Sequence, residues 1–312
     1  MRYLIDILAQ KNEEISLFEL AELCKCSTQA ILEQIIDLEE QGFIIEKSAV
    51  GFKLIPQLER LDDVYLSHML APQKFIIKPV IHSTNQYLLE HIHQLEVGTI
   101  CLAEYQTAGR GRRGRQWLSA FAGQIIMSMY WTIERTRNLE GLSLVIGVAI
   151  ADTLRQLGAI GVKLKWPNDV LLNNKKLAGI LIEIANSSNE LHNLIIGLGI
   201  NLSLSKQKNL IDQPWAELVE VLPNVDRNQL VVMLVKNLNF YLNHFKDKGI
   251  DEQLKQRWLE LDAYFGEDVC IISENHHTIG IEQGIDERGY IKIITPEGPQ
   301  YFNGGEVSLR KI

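Results

Sequence analysis

The chain has 312 residues, of which 46% are hydrophobic and 22% charged, and a net charge of −8. That length predicts two or three domains with ample core, and the composition excludes a disordered or collagen-like chain. The charge excludes a uniformly basic nucleic-acid coat but leaves local patches open, and no apolar run reaches the ~18 residues of a membrane helix.

In chain order, residues 1–10 carry Leu4, Ile7 and Leu8 at helical spacing. Ser16, with Glu19 three residues on, predicts a capping box and a second helix that groups Leu17, Leu20, Ala21 and Leu23. Ser27 can cap a third helix through Glu40, with Ile31, Ile35 and Leu38 on one face and Gly42 beyond its end. FIIEKSAVGFKLI then alternates around Val50-Gly51, a hairpin. Three helices and a hairpin are the order of a winged helix-turn-helix, assigned to residues 1–60.

Pro56 begins a connector, and 58–70 reads as one linking helix. Strands and helices then mix: KFIIKPVIHST, a helix over 85–95, TICLAEYQ, a Gly/Arg loop, GQIIMSMYWTI and an apolar helix over 142–157. Strands follow at KLKW, VLLN, AGILIEIA and LIIGLGINLSL, then helices from Asp226 to about Lys248 and over 251–261. Residues 61–265 read as a mixed-sheet domain. From Gly266 the text is short strands with turns at Asn275, 287–289 and 296–298, a small β-barrel over 266–312. The class expected is multidomain α/β (α+β). Cys24, Cys26, Cys101 and Cys270 include no CxxC pair, and the N-terminus turns charged after ten residues with no small-residue cleavage site. Both features predict a cytoplasmic protein with reduced thiols.

The sharpest feature is GRGRRGRQW, residues 109–117, with four arginines in nine residues. The wider segment 105–133 has no acid, so it is +4 inside an acidic chain. Gly109, Gly111 and Gly114 also spell GxGxxG, but a dinucleotide loop must open a helix, and this one runs into a strand. Arginines supply forked donors for carboxylate and phosphate, and glycines let the backbone wrap. A solvated basic loop is the plainer alternative. KWPND delivers Lys165, Asn168 and Asp169 at a strand mouth, which suits a triphosphate with Mg²⁺, although Asn-Asp after Pro is also ordinary turn chemistry. KKLAGIL sets Lys176 before a strand containing Gly179, and GLGIN offers Gly197 and Asn201. Glycine inside a strand often marks the close approach of a ligand. Ser83-Thr84-Asn85 is a polar turn that serves equally as a helix cap or a ligand contact. His91 and His93 point to different helix faces and His276-His277 lies in a turn, so no metal site is expected beyond a nucleotide's Mg²⁺.

The order STNQYL, EYQTAGRGRRGRQW, KWPND, KKLAGILIE and GLGIN closely resembles the biotin protein ligases. With the winged-helix pattern and the C-terminal GGEVSLR, it resembles those bifunctional members that also repress the biotin operon. The resemblance implies a biotin/lipoate-ligase-like catalytic domain and an SH3-like C-terminal barrel. It implies formation of biotinyl-5′-AMP from biotin and MgATP, then transfer to a lysine of the biotin carboxyl carrier protein of acetyl-CoA carboxylase, and a homodimer when ligand is bound. It places Ser83, Thr84, Asn85, Gln106, Gly109, Arg110, Gly111, Arg112, Lys176, Gly179 and Gly197 at biotin, with Arg112 and Lys176 at the reacting groups. Arg115, Trp117, Lys165, Asn168, Asp169, Asn201, Trp215 and Arg310 fall to ATP, and Asn168 also to its Mg²⁺. Trp215 follows a loop containing Leu210 and Ile211 and would order it over adenine. A lipoate ligase is disfavoured by the arginine loop and the barrel.

Operator DNA is the uncertain partner. Ser27, Thr28, Gln29, Lys47 and Lys53 are the candidate contacts. Yet 27–42 holds no Lys or Arg and four acids, and residues 1–56 carry five bases against ten acids. Such a domain meets a polyanion poorly. The alternative is a ligase whose N-terminal domain is not a specific DNA binder.

Overall fold

A computed structural model describes residues 4–187, 190–204, 214–273, 276–305 and 307–312. The N-terminal unit is α1 (Leu4–Lys11), α2 (Leu17–Cys24), α3 (Thr28–Glu40) and a hairpin of β1 (Ile44–Lys47) and β2 (Phe52–Ile55). The Ser16 and Ser27 hydroxyls cap as spacing predicts, accepting from the N–H groups of Glu19 and Ala30 at 3.2 Å. The Glu19 carboxylate turns to Lys11 at 3.7 Å rather than back to its cap. Gly51 is required where the hairpin crosses Ile15, because a Cβ there would fall on the Ile15 carbonyl. This unit's core takes Phe121 and Ala122 from the central unit, and the Phe43 ring lies 4.7 Å from Tyr105.

The connector is only partly helical. α4 spans Asp63–Leu70, capped by Asp62, because the residues before it are held extended. The Leu61 N–H donates to Glu104 Oε1 at 2.7 Å and the Asp62 N–H to Asn228 Oδ1 at 2.8 Å. Glu104 also faces Arg227 at 2.8 Å, both 1% exposed. Such a buried pair is costly to break because either partner alone would be an uncompensated charge.

The central unit runs β3 (Phe75–Lys78), α5 (Thr84–His91), β4 (Ile100–Ala103), β5 (Gly109–Arg110), β6 (Gln116–Trp117), β7 (Gln124–Glu134), α6 (Leu142–Gln156), β8 (Val162–Lys165), β9 (Asp169–Leu172), β10 (Lys175–Ser187), β11 (Leu191–Asn201), α7 (Arg227–Lys248) and α8 (Glu252–Leu261). Seven strands form one sheet in the order β3-β4-β7-β11-β10-β9-β8, in which only β3 and β4 are parallel. Helices α6 and α7 cover one face, packing on Leu194, Ile196, Leu198 and Ile200. The period-2 alternation of a strand sends Ile195, Gly197 and Gly199 to the opposite face, where Leu88 of α5 and Ile92 of the 3-10 turn after it pack. Glycines on that face leave room between sheet and helix, and the candidate site lies there.

The last unit is β12 (Asp268–Ile272), β13 (His277–Ile285), β14 (Ile291–Thr295), β15 (Gly298–Phe302) and β16 (Ser308–Lys311). They pair as a five-stranded antiparallel sheet in the order β15-β14-β13-β12-β16. The expected turn at Asn275 lies outside the described residues. The whole is a mixed α/β fold with a C-terminal β unit. All four cysteines are free, and no helix among the described residues is long and apolar enough to cross a membrane.

Candidate active site

The cleft floor is built by strand alternation. Ser128 of β7 and Glu183 of β10 share the α5 face with Gly179, Gly197 and Gly199. Above them the start of α5 brings Ser83, Thr84 and Asn85, all at most 4% exposed. The Ser83 Oγ caps α5, accepting from the Gln86 N–H at 3.4 Å. Thr84 donates its backbone N–H to Gln106 Oε1 at 2.7 Å and its hydroxyl to the same atom at 3.1 Å. Ser128 donates toward Thr84 Oγ1 at 2.7 Å and also lies against Asn85 Oδ1. Asn85 Nδ2 donates to Glu183 Oε2 at 2.6 Å. A Cβ on Gly197 would have Asn85 Cγ and Nδ2 at 2.9 Å, so that glycine is what admits the amide. The cleft holds about 60 Å³, the room of a few waters.

The arginine segment is a miniature hairpin, not an open loop. β5 pairs with β6, and Arg112–Gly114 makes a 3-10 turn with Arg113 at φ 57°. Gly109 permits this pairing, since a Cβ there would lie 2.9 Å from Gln106 Nε2 and close on the Trp117 carbonyl. Arg110 reaches across the cleft to Glu183 Oε2 at 3.0 Å. Arg112 donates to Asn168 Oδ1 at 2.9 Å and to the carbonyls of Gly304 and Gly305 in the C-terminal unit. The Trp117 indole lies on the sheet where Gly179 and Gly199 carry no side chain; a Cβ on Gly199 would be 2.9 Å from its Nε1.

Beside this lies a cationic pocket. Lys176 Nζ pairs with Asp169 Oδ1 at 2.7 Å and stands 6.0 Å from the Trp117 ring centroid. Burial pushes the Lys165 ammonium below its ordinary value; Asp169 opposes this, while Arg310, Lys176 and Arg115 add to it. Lys165, Lys176, Arg115 and Arg310 thus act on one region, in which Asp169 is the carboxylate that answers Lys165. Such a surplus of positive charge is what a polyphosphate satisfies. Asn168 is engaged on both amide atoms, its Nδ2 donating to the Ile180 carbonyl at 2.9 Å. Among the described residues no three His, Cys, Asp or Glu gather as a metal cage.

Other predicted residues stand apart from the cleft wall. Asn201 is buried and accepts from Gln124 Nε2 at 2.9 Å. Trp215 runs its backbone beside Lys176: the Lys176 N–H donates to Pro214 at 3.1 Å and Ala216 donates back at 2.9 Å. Leu210 and Ile211 of the loop before it lie outside the described residues. Sequence reasoning missed Ser128, Glu183 and Gly199. The signal for the first two was a lone polar residue inside an apolar strand text, IIMSMYW and ILIEIA. In the N-terminal unit, Ser27 is a helix cap, Gln29 Nε2 donates to Glu33 at 3.0 Å, and Lys47 pairs with Glu39 at 2.7 Å. Thr28 and Lys53 are half-buried.

A polar, part-buried cleft beside a surplus of cations fits an enzyme that activates a small carboxylate with a nucleotide. Comparison with known proteins agrees: residues 77–201 match the biotin/lipoate A/B protein ligase family, residues 264–310 match the biotin protein ligase C-terminal domain, and the chain belongs to this family. Within it, the chain is a biotin protein ligase. It is 38% identical over 295 residues to the bifunctional ligase/repressor BirA of Escherichia coli (strain K12), covering 94% of this chain and 92% of that one. The corresponding protein of Salmonella typhimurium is 38% identical over 310 residues, covering 98% and 96%. The biotin protein ligase from Aquifex aeolicus in complex with biotin and ATP superposes with a TM-score of 0.68 at 32% identity, covering 77% of this chain and 99% of that one.

Proposed function

We propose that the cleft over Ser83, Thr84, Asn85 and Gln106 binds biotin, and that the pocket at Lys165, Asp169 and Lys176 binds MgATP. A biotin carboxylate oxygen attacks the α-phosphorus, the bond to the β-phosphate oxygen breaks, and pyrophosphate leaves. A lysine amine of the carrier domain of acetyl-CoA carboxylase then attacks the activated carbonyl, loses a proton, and AMP leaves. Arg112 and Lys176 lie where two anions must meet, and fixed cations there offset charge that develops in the transition state. Removing one such donor costs on the order of 3 kcal/mol in barrier. Gly111, Gly179 and Gly197 give close backbone approach; Arg115, Trp117, Asn201, Trp215 and Arg310 attend the nucleotide.

The observation that carries this reading is the adjacency of the polar cleft to the four-cation pocket, with Arg112 between them and anchored to the C-terminal unit. The test is ATP-dependent labelling of a carrier domain with biotin and, separately, lipoate, with AMP and pyrophosphate measured. Labelling with biotin alone is expected; labelling with lipoate alone would overturn the reading.

We assign residues 1–60 to a winged helix-turn-helix, 61–265 to the catalytic domain and 266–312 to an SH3-like barrel, in a cytoplasmic protein. A ligand-bound homodimer has support in β10, which β9 accompanies only as far as Gly179 and which leaves its farther edge open among the described strands. A second reading adds biotin-responsive repression, favoured by the helix order and by the ligase/repressor relatives. Titration of a biotin-operator duplex with and without biotin and ATP tests it, and binding that requires both ligands supports it.

A further inference from the structure

The joint between α2 and α3 brings two cysteines together. Cys24 is the last residue of α2, and Cys26 stands just before Ser27, the cap of α3. Lys25 between them turns left-handed, at φ 56° and ψ 45°, and its N–H donates to the Ala21 and Glu22 carbonyls. The Cys26 N–H also donates to the Ala21 carbonyl, at 3.0 Å. These bonds fold the chain back on itself, and the two thiols lie in hydrogen-bond contact. Gln34 of α3 donates its Nε2 to Cys26 Sγ at 4.0 Å and fixes where that sulfur points. Cys24 is 4% exposed and Cys26 half-buried, both in the core of the N-terminal unit and away from the ligase cleft. The other two thiols are placed differently: Cys101 is fully buried in β4, and Cys270 donates to the Ile271 carbonyl at 3.8 Å.

Two thiols held against each other by one turn can exchange their hydrogens for a sulfur–sulfur bond when an oxidant arrives. Cys26 is the more open of the two and meets the oxidant first. Burial raises the Cys24 thiol above its ordinary value and Cys26 adds to that, which suits Cys24 to the second step. With a hydroperoxide, the Cys26 sulfur attacks the terminal peroxide oxygen, the O–O bond breaks, an alcohol (or water) leaves, and Cys26 becomes a sulfenic acid. The Cys24 sulfur then attacks the Cys26 sulfur, the S–O bond breaks, and the hydroxyl leaves as water with the Cys24 proton. The two sulfurs lose two electrons in all, and the hydroperoxide takes them. The ring so closed spans only three residues, and strained disulfides are the readily reduced ones. We propose that Cys24 and Cys26 are a hydroperoxide-sensitive thiol pair that closes to a reversible disulfide and ties the end of α2 to the start of α3. Oxidation then acts on the angle between those two helices and leaves the ligase cleft, in the central unit, as it is.

The test uses the full chain, reduced and freed of reductant, with graded hydrogen peroxide as the probe. Trypsin cuts after Lys25, so the reduced chain yields residues 12–25 and 26–47 as separate peptides. With remaining thiols blocked, the oxidised chain is expected to give one covalent species covering 12–47, which dithiothreitol and a second digestion divide again. The free-thiol count falls from four to two, with Cys101 and Cys270 still free. Cys26→Ser should abolish the joined species. Cys24→Ala should halt the reaction at its first step, and dimedone should then label Cys26 at least about tenfold more than in the unaltered chain, where Cys24 consumes the sulfenic acid. Cys26 is only half-buried, so its variant keeps the test independent of whether the Cys24 variant packs well. Amide exchange should change over 17–40 on oxidation, while biotin labelling of a carrier domain stays the same. Oxidation of Cys270 before the pair, a disulfide between two chains, Cys26 carried to sulfinic acid with Cys24 still free, or unaltered exchange over 17–40 each overturn the proposal.

Discussion

Gly197→Ala isolates the role of a single missing side chain. Gly197 has ordinary backbone angles, so the substitution carries no conformational strain, and the three atoms nearest an added Cβ all belong to Asn85. Asn85 is 4% exposed, and it can yield only by giving up Ser128 and Glu183. A neutral buried hydrogen bond contributes about 1 kcal/mol and one to a carboxylate about 1.5–3 kcal/mol. The displaced amide therefore costs roughly 2.5–4 kcal/mol, or about 10² to 10³ in affinity if all of it opposed biotin. Relaxation reduces that, so the expectation is a rise of at least about tenfold in KM for biotin in ATP–pyrophosphate exchange. The decisive comparison is Asn85→Ala alone against Asn85→Ala/Gly197→Ala. With the amide gone, none of those three close contacts remains, and the two should agree within about threefold. Additive losses would refute the reasoning, because the clash would then not run through Asn85.

Arg110→Ala and Glu183→Ala should both speed tryptic cleavage at residues 110–115 without biotin, and the double variant should be no faster than either. In the unaltered chain biotin should slow that cleavage, since it adds the contacts that hold the hairpin down. Lys165 is held below its ordinary value by burial, so it loses its proton earlier as pH rises; KM for ATP should climb with pH in that range, and Lys165→Arg should flatten the climb. Because the unfolded chain then binds more protons than the folded one, this lysine makes stability rise with pH over the same window. Glu282 and Asp262 are buried together at the seam with the C-terminal unit; burial pushes both carboxyls up, the Asp262 charge raises Glu282 further, and the hydrogen bond from Glu282 partly holds Asp262 down. The folded state therefore holds a proton the unfolded state would lose, stability falls as pH rises above the ordinary carboxylate range, and Glu282→Gln should lessen that fall in thermal unfolding.

The helices were legible because capping serines and 3.6-residue periodicity are local. Ser16 and Ser27 cap where spacing put them. The linking helix was misread from Leu58 because its first residues answer to Glu104 and Asn228, distant in sequence. The arginine segment was legible as a charge anomaly, but its hairpin depends on Gly109 meeting Trp117, which no periodicity announces. Ser128 and Glu183 escaped notice because one polar residue in an apolar strand signals only a polar partner, and the partner, Asn85, arrives through tertiary packing. Asn201, a polar amide at a strand end, has its Oδ1 accepting from Gln124, a partner that the strand text does not announce.

The most direct measurement is a crystal structure with a non-hydrolysable biotinyl-5′-AMP analogue. The account predicts the fused rings over Thr84 and Gln106, the phosphate between Arg112 and Lys176, and the 109–117 hairpin closed above them. Rings bound elsewhere, or a phosphate remote from both cations, would contradict it.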